Sequence, residues 1–218
     1  MPVSRGLYYF TAGDNYARPP VVLIHGAGGH HLYWPPQVRR LHDQRTFALD
    51  LPGHGKSAGT GHQTIEAYAD EVAEFIQSIG LSKAVLVGHS MGGAVALELA
   101  SRNPERVLGL GLIATGARLQ VAAEILQTTA DAATFSEAVT LISDLAFAAQ
   151  TNPRLKVLAA ARMRDTRPSV LHGDFLACHA LDMTGCLADI AARERRPLQP
   201  GARFAQKRRT VLPRFPLS

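Results

Sequence analysis

The 218-residue sequence lacks a basic n-region leading into an apolar h-region at its start. It also lacks any apolar run approaching the roughly 18 residues that a membrane span requires. Both absences lead to the expectation of a soluble, cytoplasmic protein with no membrane span. Cysteine is scarce: Cys178 and Cys186 are the only two, and their spacing matches neither a C-x-x-C redox pair nor a zinc site, so both read as buried thiols in a helical stretch. No internal repeat or low-complexity tract is visible. Acidic residues are nearly missing from one end: residues 193–218 hold eight Lys/Arg against Glu194 alone, whereas residues 1–192 hold 15 basic and 17 acidic side chains. The net charge of +5 therefore belongs to the tail. A basic arm can bind phosphate backbones or anionic surfaces, but no nucleic-acid-binding motif accompanies it and its apolar residues form no helical stripe. No nucleic-acid partner is expected.

What is present is an ordinary globular composition, 46% hydrophobic, enough for one domain with a core and a small helical insertion. Leu7–Phe10 reads as a short strand. Val21–Ile24 reads as a buried one, four apolar residues between Pro20 and Gly26 that suit a parallel sheet covered on both faces. Thr46–Leu49 is a third. Over residues 64–79, Ile65, Tyr68, Ala69, Val72, Phe75, Ile76 and Ile79 recur at helical spacing, with Thr64 as N-cap and Gly80 as the stop. A strand at 85–87, a helix at 91–102 and a strand at 107–113 follow. Such alternation implies an α/β fold with a mostly parallel sheet and flanking helices.

Past Thr115-Gly116 the alternation gives way to Ala- and Leu-rich segments with helical spacing. The expected organisation is a core over residues 1–116, a helical cap and return to the core over 117–192, made of about four helices, and an atypical basic tail over 193–218. A helical block after a sheet strand, on the side of the carboxyl ends, suits a lid over a site. Ordinary core helices are the alternative.

Gly88-His89-Ser90-Met91-Gly92 joins the apolar run at 83–87 to the helical run at 94–100. A G-x-S-x-G at a strand-to-helix junction is a nucleophile elbow, with Ser90 held in a strained turn and small neighbours leaving it room. His25-Gly26-Ala27-Gly28-Gly29 follows the strand at 21–24, and its glycines allow amides to turn towards a ligand. Acyl transfer puts negative charge on a carbonyl oxygen, and the amides of Ala27 and Met91 are the expected oxyanion donors. A dinucleotide loop is disfavoured, because His31 stands where the third glycine of G-x-G-x-x-G belongs. Gly55-Lys56-Ser57 imitates the end of a P-loop, but Asp50 replaces the required earlier glycine, and Ala58-Gly59-Thr60-Gly61 follows instead of a helix. No nucleotide, other cofactor or metal is expected.

Taken in chain order, His25-Gly26-Ala27-Gly28, Asp50-Leu51-Pro52-Gly53-His54-Gly55-Lys56-Ser57 and Gly88-His89-Ser90-Met91-Gly92-Gly93 resemble the α/β-hydrolase superfamily, in its branch of capped hydrolases. The resemblance covers residues 1 to about 192; its motifs are uninformative about substrate, while the Ala- and Leu-rich cap suggests an apolar pocket, so a small, apolar, ester-like substrate is the expectation. Serine at position 90 disfavours the members with an aspartate nucleophile.

That family supplies an acid after a late strand and then a histidine near the end. Neither stands here in a recognisable context. After Ser90 the only histidines are His172 and His179, both in the helical block. The expectation is a serine hydrolase that has lost its catalytic end, with residues from about 193 onward read in a shifted frame. Codons can be chosen for Ala205–Pro213 that give an acidic turn in another frame. The rival readings are a non-catalytic binding protein of the same fold and a nucleic-acid-binding protein acting through its tail.

Overall fold

The computed structural model describes residues 2–187. The expected basic tail at 193–218, and its reading in a shifted frame, lie outside the described residues. Short β1 (Val3–Ser4), which sequence periodicity did not suggest, pairs antiparallel with β2 (Leu7–Ala12). β3 (Val21–Ile24), α1 (Pro36–Arg39), β4 (Thr46–Leu49), α2 (Ile65–Ser78), β5 (Ala84–His89), α3 (Met91–Arg102) and β6 (Val107–Ile113) follow. The sheet order is β1-β2-β4-β3-β5-β6, and β2 lies antiparallel to β4 while β4, β3, β5 and β6 are mutually parallel. The expected α/β, mostly parallel architecture is what forms.

The chain steps from β3 to β4 on one side and then to β5 on the other. This reversal opens a crevice outside the strands' carboxyl ends, where the loops after β3, β4 and β5 converge. The helix at residues 65–78 starts where its cap dictates: the Thr64 side chain accepts the Ala67 N–H at 3.3 Å. It ends before Gly80, whose φ of +76° allows the chain to turn out of the helix.

The main core lies between the sheet and α2 and α3. Val22, Ile24, Leu49 and Leu86 from the strands meet Tyr68, Val72, Phe75, Ile76, Val95 and Leu99 from the helices, all essentially buried. On the opposite face Val21, Leu23 and Ala48 pack under Trp34. β3 is thus buried on both faces, as its apolar run predicted. β6 is not: Leu108, Leu112 and Ile113 are each nearly half exposed, and among the described residues β6 is the outer strand.

After β6 come α4 (Ala123–Ala130), α5 (Phe135–Ala146), α6 (Pro153–Arg164) and α7 (Pro168–Ala180). α4, α5 and α6 build a small core of Ile125, Val139, Ile142, Ala160 and Met163, which Leu171 of α7 completes. Further along α7, Ala177 and Cys178 enter the main core. One helix therefore belongs to both cores, which accounts for its apolar residues on all sides. Cys178 is a buried thiol, pushed up to about 12 by burial. Cys186 departs from expectation, because it sits half-buried in a turn beyond the helix.

Candidate active site

Ser90 stands between β5 and α3 with φ 52° and ψ −120°, a conformation that an L-residue with a side chain adopts only when its surroundings impose it. The surroundings here are close backbone contacts. A Cβ at Gly92 would fall onto the carbonyl oxygens of Ile24 and His25, and one at Gly88 onto the backbone of Gly92. The turn is fastened by Ser90 N–H donating to the Ile113 carbonyl at 2.9 Å and by the Ser90 carbonyl accepting from Gly93 and Ala94. Its side chain makes no capping hydrogen bond.

The loop after β3 lies directly against this turn. A Cβ at Gly26 would sit 3.2 Å from Cβ of Ser90 and 3.0 Å from Nδ1 of His89. Within that loop Gly29 N–H donates to the Gly26 carbonyl at 3.0 Å and Gly28 N–H to Asp174 at 2.8 Å. Among the described residues the Ala27 N–H has no such acceptor, and the Met91 N–H, at the first helical position, has none within its helix. The structure therefore brings Ser90, Met91 and the Ala27 loop to one end of the sheet.

The loop after β4 closes on itself. Asp50 is fully buried and accepts the His31 N–H at 2.6 Å, His31 Nδ1 at 2.8 Å and the Lys56 N–H at 2.9 Å. Burial would raise this carboxyl, but these donors hold it below the usual carboxylate range. A side chain at Gly55, whose φ is +51°, would collide with that carboxylate. Ser57 Oγ donates to the Asp50 carbonyl at 2.6 Å and accepts the Tyr8 N–H at 2.8 Å. The serine of the P-loop look-alike is thus committed to backbone groups.

Behind the loops two buried histidines lie with ring centroids 4.9 Å apart. His25 Nε2 accepts the Leu51 N–H at 3.0 Å while Nδ1 donates to the Gly26 carbonyl at 2.8 Å, which requires a neutral ring. Burial, with the charge of His54, pushes it down to about 3. His54 faces an acceptor on each side: the Pro52 carbonyl is 3.0 Å from Nδ1 and Asp174 Oδ2 is 2.8 Å from Nε2. Burial would lower His54, but Asp174 and the Pro52 carbonyl outweigh it and hold the ring above the ordinary imidazole range. Asp174 was not singled out from the sequence. Its only advance signal was a carboxylate amid the apolar residues of a buried helix.

Both nitrogens of His25 and of His54 are engaged by these partners, so neither ring is turned to Ser90. His172 pairs with Thr129 Oγ1 at 3.1 Å inside the helical block, and His179 is exposed. Among the described residues no histidine is hydrogen-bonded to Ser90. Ligand atoms of His30, His31 and Asp50 lie within 4.8 Å of one another, the one such grouping of metal-type side chains among the described residues. Their hydrogen bonds already engage them, since Asp50 and His31 hold each other and His30 Nδ1 accepts the Leu32 N–H at 3.3 Å. Two surface cavities lie away from Ser90, one of about 390 Å³ beside Ser136 and Asp144 and one of about 580 Å³ beside Tyr16 and Lys83.

Comparison with known proteins agrees with this geometry. The sequence profile of the alpha/beta hydrolase fold matches residues 19–173. Over 114 residues the chain is 42% identical to the dihydrolipoyllysine-residue acetyltransferase component of the acetoin cleaving system of Pseudomonas putida, covering 51% of this chain and 30% of that protein. Over 93 residues it is 38% identical to a lipase of Mycobacterium tuberculosis, covering 43% and 36%. The chain thus spans about a third of the length of these curated relatives. A thermophilic esterase of known structure superposes with TM-score 0.69 at 31% identity, covering 84% of this chain and 72% of that one. No helix among the described residues is long and apolar enough to cross a membrane. With its profile match, its sheet order and the strained serine turn after β5, the chain belongs to the alpha/beta hydrolase fold family.

Proposed function

We propose that the protein is a capped serine hydrolase of carboxylic esters or related acyl substrates, with Ser90 as the nucleophile. The observation that carries this reading is the strained Ser90 turn facing a loop whose Ala27 amide is unengaged among the described residues. Ser90 Oγ attacks the acyl carbon, the carbonyl electron pair moves onto oxygen, and the Ala27 and Met91 N–H groups stabilise the oxyanion. Two such preorganised donors supply several kcal/mol in a site sheltered from water. The helical block at 117–187 acts as the cap, and a small apolar ester fits the Ala- and Leu-rich composition of that block.

The serine proton needs an acceptor, and among the described residues no histidine is hydrogen-bonded to Ser90: His25, His54 and His172 are bonded elsewhere and His179 is exposed. Proton transfer to water leaves only the contribution of the oxyanion donors and binding, on the order of 10³–10⁴ over the uncatalysed rate. The protein's activity is accordingly expected to be impaired. The same observation favours a second reading, a binding protein of this fold without turnover. Hydrolysis of p-nitrophenyl butyrate by the chain and by Ser90→Ala separates the two. A weak rate abolished in Ser90→Ala supports the hydrolase, and identical rates support the binding protein.

A further inference from the structure

Asp174 is completely buried, so each lone pair on its carboxylate must find a partner within the protein. Oδ2 accepts the Gly28 N–H and His54 Nε2–H, both at 2.8 Å, and Oδ1 accepts the Tyr68 O–H at 2.6 Å. The Tyr68 oxygen itself accepts the His62 N–H at 3.0 Å, so its own proton points to Asp174. Three donors from the loop after β3, the loop after β4 and α2 therefore converge on one side chain of α7. The far nitrogen of His54 faces the Pro52 carbonyl, which can only accept. Both contacts of this imidazole are hydrogen bonds only if both nitrogens carry protons.

The second atom group gripped by the same segment is Gly28. Its carbonyl accepts Thr166 Oγ1–H at 3.1 Å, and at its φ of +62° a Cβ would lie 2.7 Å from Leu171 Cδ1. The segment from the end of α6 into α7 thus holds the N–H, the carbonyl and the Cα of one loop glycine.

We propose that Asp174 and a doubly protonated His54 form a buried ion-pair latch that fastens α7 to the loop after β3, with Asp174 acting as the positioning residue for the peptide joining Ala27 to Gly28. That peptide lies one residue from the Ala27 N–H, so docking of α7 sets the direction of the amide. Only this last consequence rests on the hydrolase reading; the latch stands on the hydrogen bonds alone. The other titratable groups facing the pair are His25 after β3, Asp50 after β4, Tyr68 of α2 and Cys178 of α7. His25 is held neutral by the Leu51 N–H and cannot replace His54 as the cation.

The test is long-range ¹H–¹⁵N NMR of the full chain with ¹⁵N-histidine, together with amide exchange at Gly28. At pH 7 both nitrogens of His54 are expected at protonated shifts, while His25 shows the neutral Nδ1–H form. In Asp174→Asn the His54 ring becomes neutral at pH 7, and Gly28 exchange accelerates by about tenfold or more. Tyr68→Phe, which removes one donor and leaves the ion pair, retains the doubly protonated signature, so it serves if Asp174→Asn does not fold. A neutral His54 at pH 7 in the unmodified chain, or unchanged Gly28 exchange in Asp174→Asn, overturns the latch. Benzeneboronic acid, a tetrahedral-adduct former, probes the positioning role. Its affinity falls about tenfold in Asp174→Asn, and an unchanged affinity overturns that role. Failure of the boronate to distinguish the unmodified chain from Ser90→Ala overturns the hydrolase reading instead, leaving the histidine signature to decide the latch.

Discussion

Two isoleucines close parallel strands of the same sheet and live in different worlds. Ile24, at the end of β3, has no exposed surface, because α3 packs against it and its carbonyl crowds Gly92 beneath the Ser90 turn. Ile113, at the end of β6, is 45% exposed, although its carbonyl anchors the Ser90 N–H from the other side. The elbow is therefore built by a closed half of the sheet and an open one. Its geometry depends on side-chain packing towards β3 and, towards β6, on the Ser90 backbone hydrogen bond together with the strand ladder that pairs His89 with Ile113.

That contrast can be broken most severely at Gly92. Gly92→Val forces carbon into the Ile24 and His25 carbonyls, and a loss of about 4 kcal/mol or more is expected, read as failure to yield soluble, cooperatively melting protein. Removing Asp174 comes next: Asp174→Ala leaves His54 buried without its partner and is expected to cost about 3–5 kcal/mol by urea denaturation. Ile24→Ala opens a cavity in the closed half and should cost about 2–5 kcal/mol in the same assay. The matching change on the open half, Ile113→Ala, should stay within about 0.5 kcal/mol, and equal losses at the two sites would refute the contrast.

The pH dependence sharpens the same picture, because His25 and His54 are buried beside the loops after β3 and β4. His25 is depressed to about 3 from 6.5, so below about pH 6.5 the unfolded chain takes up a proton that the folded chain refuses, and stability falls towards acid. Asp50, held below the usual carboxylate range, adds a loss in the same direction at lower pH. His54 is raised, so its contribution is complete below pH 6.5 and disappears as pH rises through its folded value. Melting temperature should therefore decline on both sides of neutrality. His54→Gln should remove the alkaline decline while retaining the acid one.

Much of this was legible beforehand because it rests on local rules. The Thr64 cap, the Gly80 stop, the strands at 21–24, 46–49 and 107–113 and the serine turn are each specified by neighbouring residues. The glycines at 88 and 92 predicted the tight turn, and the structure supplies the crowding carbonyls that require them. The two-residue β1 escaped notice because no periodicity exists at that length. Asp174 escaped because its partners lie 106, 120 and 146 residues away, and nothing in the local spacing of α7 reveals three donors arriving from other loops. The half-exposure of β6 escaped for the same reason: an apolar strand reads alike whether or not its outer face is covered.

The central claim is that Ser90 is the nucleophile, and a fluorophosphonate probe tests it without requiring turnover. After prolonged incubation, peptide mass spectrometry should place the phosphonyl group on Ser90, with labelling abolished in Ser90→Ala and unaltered in His172→Ala and His179→Ala. An adduct on another residue, or none on Ser90 in protein whose fold is intact, would contradict the account.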